Sequence, residues 1–468
     1  MPRRKKRWNN VGGHEIPIIF AAIMENREHY SYREILRIAF PILVSTIVEQ
    51  VIGMTDTAFL GRVGELELGA SAIAGVYYLV IFMLGLGFSI GVQIIIGRRN
   101  GEGNHIQTGN VFYHGLYFAL GLAIVTTMIS EAVSPELMGL MVSSPQVRDA
   151  ALSYVRWRVL GLVFAFSTAV FRAFYIGTTQ TKVLSINSFV MMLSNVCLNW
   201  ILIFGKLGLP ALGIRGAAIG STISEFISLA FFVIYTFRRC DTHKYGLRRP
   251  PVPSWTTLKG ILKVSLWSMI QNFLSISTWF IFFLFIEHLG ERSLAISNIV
   301  RNISGFVWMV LMAFSSTCST LTSNLIGHGH SDNVLNLIWK MLKTAYAATL
   351  PILLFFSIFP QLIIRIFTNI PELTQACIPS MLVLCASYIL TIPASVFFQA
   401  VGGTGNTRTS FILESFSLLI YLIFCIVVIG IMKCDVAVCW LSEAVYGGFM
   451  ALTCGLYLRS GRWKSKTI

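Results

Sequence analysis

Along this chain, windows of about twenty mostly apolar residues alternate with short polar breaks, and a window of that length can cross a bilayer as a helix. Twelve are present, at roughly 34–59, 68–96, 111–131, 150–176, 184–205, 213–237, 258–286, 294–326, 341–367, 375–401, 409–432 and 436–458. The pattern predicts an all-α, polytopic membrane protein. Its first span begins too late, and has too many successors, to be a cleaved signal peptide, which leaves residues 1–30 as a polar, basic leader.

Composition agrees. Of 468 residues, 55% are apolar and 12% charged, about half the charge of a soluble domain, and the mean hydropathy is +0.71. Disordered, coiled-coil and secreted disulfide classes are excluded. The nine cysteines show no CxxC or Cys/His ligand spacing and read as small apolar packers. His328 and His330 read as part of a solvated loop. No GxxxxGK[ST] phosphate loop and no nucleophile–base or metal constellation occurs, so an enzyme is not expected, and no cofactor is implied.

An even number of spans puts both ends on one side. Arg3, Arg4, Lys5, Lys6 and Arg7 open the chain, Arg459, Arg462, Lys464 and Lys466 close it, and Arg238, Arg239, Lys244, Arg248 and Arg249 fill the central loop. The opposite side holds few cations, such as Arg62, Lys206 and Lys433. Positive-inside bias makes both termini cytoplasmic. The same asymmetry, with attraction to anionic lipid, accounts for the net charge of +15 without nucleic acid.

Shifting the chain by 226 residues aligns its halves. Phe59, Gly64, Glu65, Leu68 and Ser71 fall on Phe285, Gly290, Glu291, Leu294 and Ser297, and Phe171, Gly177, Thr178, Thr181 and Lys182 fall on Phe397, Gly403, Thr404, Thr407 and Arg408. A slightly different shift pairs Ser224 and Glu225 with Ser442 and Glu443. Six spans per half make the repeats parallel, as two six-helix lobes related by pseudo-two-fold symmetry about the membrane normal, able to rock about a central site. The expected divisions are a cytoplasmic leader (1–30), an N-terminal lobe (31–238), a linker (239–257) carrying Pro250, Pro251 and Pro253, a C-terminal lobe (258–460) and a cytoplasmic tail (461–468).

Ionisable groups at membrane depth cost a few kcal/mol or more, so each needs a partner, water or a function. The first span holds Glu49 and Asp56, seven residues apart and therefore on nearly one face about 10 Å apart. Each could load and release a proton or bind a cation. Asp56 could instead cap the following turn, and Glu49 could be a permanently protonated structural group. On the fifth span Asn195 and Asn199 share a face, and the sixth adds Ser221, Thr222 and Glu225, the last a further candidate cavity carboxylate. These oxygens suit Na⁺ or a hydrated proton rather than a soft metal, although interhelical hydrogen bonding would use the same groups.

Pro41, four turns before Asp56, allows a kink that responds to the carboxylate, or only a static bend. The seventh span has no central carboxylate, since Glu49 falls on Ser275 and Asp56 on Phe282, so coupling chemistry is expected in the N-terminal half. Glu414 is expected near the interface, and Arg156 and Arg172 are expected to snorkel.

The chain resembles the multidrug and toxic compound extrusion (MATE) family over 32–458. The likeness rests on the first span ending MTDTAFLGRVGE, the NVCLNWILIFG stretch from Asn195, the turns GTTQTK at 177 and GTGNTR at 403, and GIRGAAIGSTIS from Gly213. The resemblance implies a V-shaped pair of lobes exporting organic, often cationic, compounds by antiport against Na⁺ or H⁺. It places Asp56 on the family's first-span aspartate, Asn195 on its fifth-span asparagine, Asn199 where many members have an aspartate, and Ser221, or else Thr222, on a sixth-span hydroxyl. It puts Ser275 and Thr391 where one subgroup has C-lobe acids, and it implies a monomer in a bacterial inner membrane. A lipid-linked saccharide flippase of the wider superfamily is the alternative, kept open by Arg156, Arg158, Arg172 and Arg301.

Overall fold

A computed structural model describes residues 29–142 and 144–464; most of the basic leader and the last four residues of the tail lie outside the described residues. Eleven helices are long and apolar enough to cross a membrane, and one bent pair supplies a twelfth span. The spans are Tyr32–Val63, Glu65–Gly101, His105–Met141, the pair Pro145–Leu160 and Leu162–Gly177, Lys182–Phe204, Gly213–Arg239, Trp255–Glu287, Glu291–Gly327, Val334–Ile358, Pro371–Gly403, Thr407–Cys425 extended by a π-helical turn Ile426–Ile431, and Leu441–Arg459 after a short helix Val436–Cys439. Among the described residues there is no strand. Helices are what a bilayer permits, because every backbone polar group must be satisfied within its own segment.

Local chemistry sets several boundaries. The first span starts at a capping box, in which Ser31 Oγ accepts from Glu34 N–H at 3.3 Å and the Glu34 carboxylate accepts from Ser31 N–H at 2.9 Å. The fifth ends at Gly205, whose φ of +67° suits a residue without Cβ. The fourth departs from the single helix that its apolar run predicts, for it bends by 47° at Gly161. A Cβ there would stand 2.7 Å from Glu225 Oε2 and 3.0 Å from Thr222 Oγ1, so the glycine lets the sixth span come close.

The internal repeat is present in atomic detail. Thr181 Oγ1 donates to the Ile38 carbonyl at 3.0 Å, and Thr407 Oγ1, 226 positions on, donates to the Val264 carbonyl at 2.8 Å. Each bond ties the start of a lobe's fifth helix to its first.

The lobes meet along the second halves of spans two and eight. Gln93 Nε2 donates to Thr320 Oγ1 at 2.9 Å, Asn100 Nδ2 to Asn324 Oδ1 at 2.8 Å, Ser323 Oγ to the Ile94 carbonyl at 2.7 Å and Arg98 to the Thr404 carbonyl at 2.9 Å. From Gly85 onward span two is mostly buried; before it only Ala70 and Ala74 are. The lobes therefore part towards the opposite end. The joined end carries both described chain ends: Lys340 donates to the Tyr30 carbonyl at 3.0 Å, and Lys464 pairs with Asp332. That hydrogen bond holds the Asp332 carboxyl below the usual carboxylate range.

The central linker is an ordered strap rather than a loose tether. Thr242, Tyr245 and Leu247 are buried. The third span grips the strap through Tyr113, which donates to the Leu247 carbonyl at 2.5 Å, and Tyr117, which donates to the Pro251 carbonyl at 3.1 Å. His114 Nε2 accepts from Ser254 N–H at 2.8 Å.

Candidate functional site

Parallel packing of spans one and five brings their polar residues together in two layers seven residues apart. In the outer layer Asn199 Nδ2 donates to Asp56 Oδ1 at 2.6 Å and to Asn195 Oδ1 at 3.1 Å. Ser221 Oγ donates to Asp56 Oδ2 at 3.3 Å and accepts from Asn195 Nδ2 at 3.2 Å. Asn195 and Asn199 are fully buried, and Asn199 Oδ1 has no hydrogen-bond partner among the described residues. That oxygen faces Gly220, where a Cβ would lie 2.2 Å away. An orphaned amide oxygen beside a carboxylate, an amide oxygen and a hydroxyl is a hard, oxygen-only donor set. Thr222 does not join it; its hydroxyl donates to the Trp157 carbonyl at 2.9 Å.

The inner layer is built on Glu49, whose Oε1 accepts from Ser45 at 3.1 Å and Ser188 at 3.2 Å and is ion-paired with Arg172. Arg172 does not snorkel as its position suggests, because the carboxylate of span one sits opposite it in the lobe. Arg156 stays exposed, 3.8 Å from Glu131. Glu225 is 7% exposed and pairs with Arg158 at 2.9 Å, and it accepts from Tyr78 OH at 3.2 Å. The Arg158 guanidinium lies 4.0 Å from the centre of the Tyr78 ring. Pro41 lies inside an unbroken first span, and its carbonyl accepts from Ser185 Oγ at 2.9 Å.

Between the lobes is a cavity of about 480 Å³. Its charged lining residues are Glu49, Arg172 and Glu225. Phe82, Trp308, Phe398, Met191, Met309 and Met312 add apolar surface, and Gln93, Gln271, Asn272 and Gln399 add amides. Asp56 is not on this wall; it lies within the N-terminal lobe, one helical turn along span six from Glu225 through its partner Ser221.

Two features were missed in the sequence. Glu414 is not interfacial: it is 4% exposed, and its Oε1 accepts from Ser275 at 2.5 Å and Tyr446 at 3.3 Å. Its place near an apparent span end was misleading because the seventh and twelfth spans enclose it. The Arg158–Glu225 pair is also invisible in one dimension, since 67 residues and the bend at Gly161 separate its members. At the positions corresponding to Asp56, Asn195 and Asn199, the C-terminal lobe has Phe282, Tyr421 and Cys425. The Phe282 ring lies 6.2 Å from that of Tyr421 and 5.4 Å from that of Trp440, so an aromatic plug replaces the polar layer.

Comparison with known proteins follows the same division into halves. The MatE family model matches residues 41–201 and 268–427. A probable multidrug resistance protein NorM of Thermotoga maritima is 24% identical over 447 residues, spanning 93% of this chain and 94% of that one. A multidrug resistance protein MdtK of Yersinia enterocolitica is 22% identical, spanning 81% and 83%. Among solved structures, an outward-facing multidrug resistance MATE family transporter of the MOP superfamily matches with a TM-score of 0.86 at 20% identity, covering 94% of this chain and 98% of that one. A MOP superfamily transporter from Pyrococcus furiosus Vc1 matches at 0.84 and 21%, covering 93% and 97%.

Proposed function

Because the chain belongs to the MatE family, we propose that it exports organic, often cationic, compounds by antiport against Na⁺ or H⁺. The observation that carries the reading is the Asp56 layer: a carboxylate held by Asn199 and Ser221 beside an orphaned amide oxygen inside the N-terminal lobe. Asp56, Asn195, Asn199 and Ser221 would hold the coupling ion. Glu49 and Glu225 face the central cavity and would receive a cation only by exchanging Arg172 and Arg158 for it, while its methionine and aromatic walls accommodate varied apolar bodies.

Cargo and ion would thus occupy adjoining sites. Glu49 and Asp56 share the first span, so neutralising Asp56 would alter the helix that presents Glu49 to the cargo. Coupling needs the two lobe arrangements to differ in affinity for each ligand. The family relatives named as multidrug resistance proteins support the cargo class.

Positive-inside bias supports placing the joined end, and both termini, in the cytoplasm, which makes the arrangement outward-facing in a bacterial inner membrane. The leader (1–30), lobes (31–238 and 258–460), strap (239–257) and tail (461–468) remain the working divisions. A saccharide flippase would need free cavity cations; Arg172 is engaged by Glu49, Arg158 by Glu225, and Arg301 lies over the Trp279 and Phe283 rings.

The test is ethidium efflux in a pump-deficient host and in vesicles with imposed Na⁺ or pH gradients. Asp56→Asn should abolish gradient-driven export with expression intact; undiminished export would refute the ion-site assignment.

A further inference from the structure

In the N-terminal lobe Glu49 of span one accepts a hydrogen bond from Ser188 of span five. In the C-terminal lobe Glu414 of span eleven accepts one from Ser275 of span seven. Both pairs are 139 residues apart, and the 226-residue offset lays Glu49 on Ser275 and Ser188 on Glu414. The same two helices are bridged in each lobe by the same acid and hydroxyl with their positions exchanged. The C-terminal lobe therefore has a carboxyl in its core, although its first helix carries none there.

The surroundings of the two acids differ. Glu49 has Arg172, whereas the corresponding residue in the second half is Phe398. Among the described residues Glu414 makes no ion pair, and its buried Oε2 has no hydrogen-bond partner. Ser275 and Tyr446 both reach Oε1, Ser275 sharing its single hydrogen with the Gln271 carbonyl at 2.9 Å, so neither hydroxyl is engaged with Oε2. Leaving a bare carboxylate oxygen dry costs far more than leaving a neutral hydroxyl unpaired.

We propose that Glu414 is a proton-binding site of the C-terminal lobe, loaded on Oε2 and discharged during the transport cycle. The O–H bond forms on that oxygen when the proton arrives and breaks when it leaves, with no other bond changed. Access is short. Gln271 and Asn272 of span seven and Thr407 and Ser410 of span eleven line the central cavity, about one turn from Ser275 and Glu414.

The titratable groups facing it are Tyr446 and Cys454 on span twelve, and on its own span Arg408, six positions earlier, lies over the Trp267 ring. Span seven has charged residues only near its ends, at Lys259, Lys263 and Glu287, and span ten only at Glu372. No cation at its own level competes with the proton.

The inference rests on the antiport reading, so the experiment has a readout independent of transport. Infrared difference spectra of the purified protein between alkaline and acid pH should contain a protonated-carboxyl C=O band that Glu414→Gln removes and Asp56→Asn retains. In proteoliposomes with ethidium, Glu414→Gln should lower the proton-to-ethidium ratio by about one. The double variant Ser275→Glu, Glu414→Ser, which moves the acid to the position Glu49 holds in the other lobe, should restore band and ratio. Identical spectra for wild type and Glu414→Gln overturn the proposal. So does an unchanged ratio, or a monodisperse double variant lacking the band. Ethidium transport indifferent to both gradients refutes antiport instead, leaving the infrared result to stand or fall alone.

Discussion

At the scale of single residues, what decides behaviour in this protein is whether a buried charge has its partner. Arg158 and Glu225 have side chains 11% and 9% exposed, 2.9 Å apart. Removing one member of such a pair strands the other in a low-dielectric interior, at a cost of about 3–5 kcal/mol, whereas replacing both with well-packed apolar groups is often close to neutral. Arg158→Leu should therefore lower the thermal unfolding temperature in detergent sharply. Arg158→Met combined with Glu225→Leu should recover most of that loss, and failure to recover would mean that the tyrosine-ring contact or the packing, rather than the charge, carries the stability. Asn199 shows the other residue-scale economy. Its orphaned oxygen is accommodated only because position 220 is glycine, and this pairing of an amide with a missing side chain was legible only as two separate letters.

At the scale of elements, helix ends and glycines determine which surfaces can meet. Span two approaches span eight most closely at Gly101, where an added Cβ would lie 2.2 Å from the Asn324 carbonyl oxygen, and span seven at Gly91, where it would meet the Ser265 backbone at 2.5 Å. Backbone cannot yield as a flexible side chain can. Gly101→Val should wedge open the end at which the lobes join while leaving each lobe folded. Spin labels at Glu102→Cys and His328→Cys in a cysteine-free background should then move apart, with export suppressed; an unchanged distance would show that the interface tolerates the side chain. The run GLGFSIGVQIIIG in span two displays this small-residue face in the sequence, but not its partner, because nothing in the letters says that spans two and eight cross.

At the scale of the whole molecule, two copies of one six-helix plan have diverged in chemistry while keeping their framework. The Thr181–Ile38 and Thr407–Val264 bonds are equivalent, yet the polar layer around Asp56 corresponds to an aromatic plug around Phe282. The twelve-span topology makes a further prediction. If the joined end is cytoplasmic, alkaline phosphatase fused after Lys433 should be active and a fusion after Asp241 inactive, since the enzyme matures only outside the cytoplasm. The opposite result would invert the orientation and make the cavity inward-facing.

The order of letters alone determined the membrane class, the number of spans and the duplication, and offered Asp56, Glu49, Asn195, Asn199, Ser221 and Thr222, with Glu225, as a candidate set. Hydrophobic length, charge asymmetry and a fixed offset are one-dimensional signals that survive without coordinates. Tertiary structure decided the rest: Thr222 turns away, Arg172 meets Glu49 instead of snorkelling, Glu414 is enclosed, and Asp56 stands behind the cavity wall rather than on it. Those outcomes depend on the rotation of each helix about its axis and on its neighbours across the lobe, and packing between distant segments sets both.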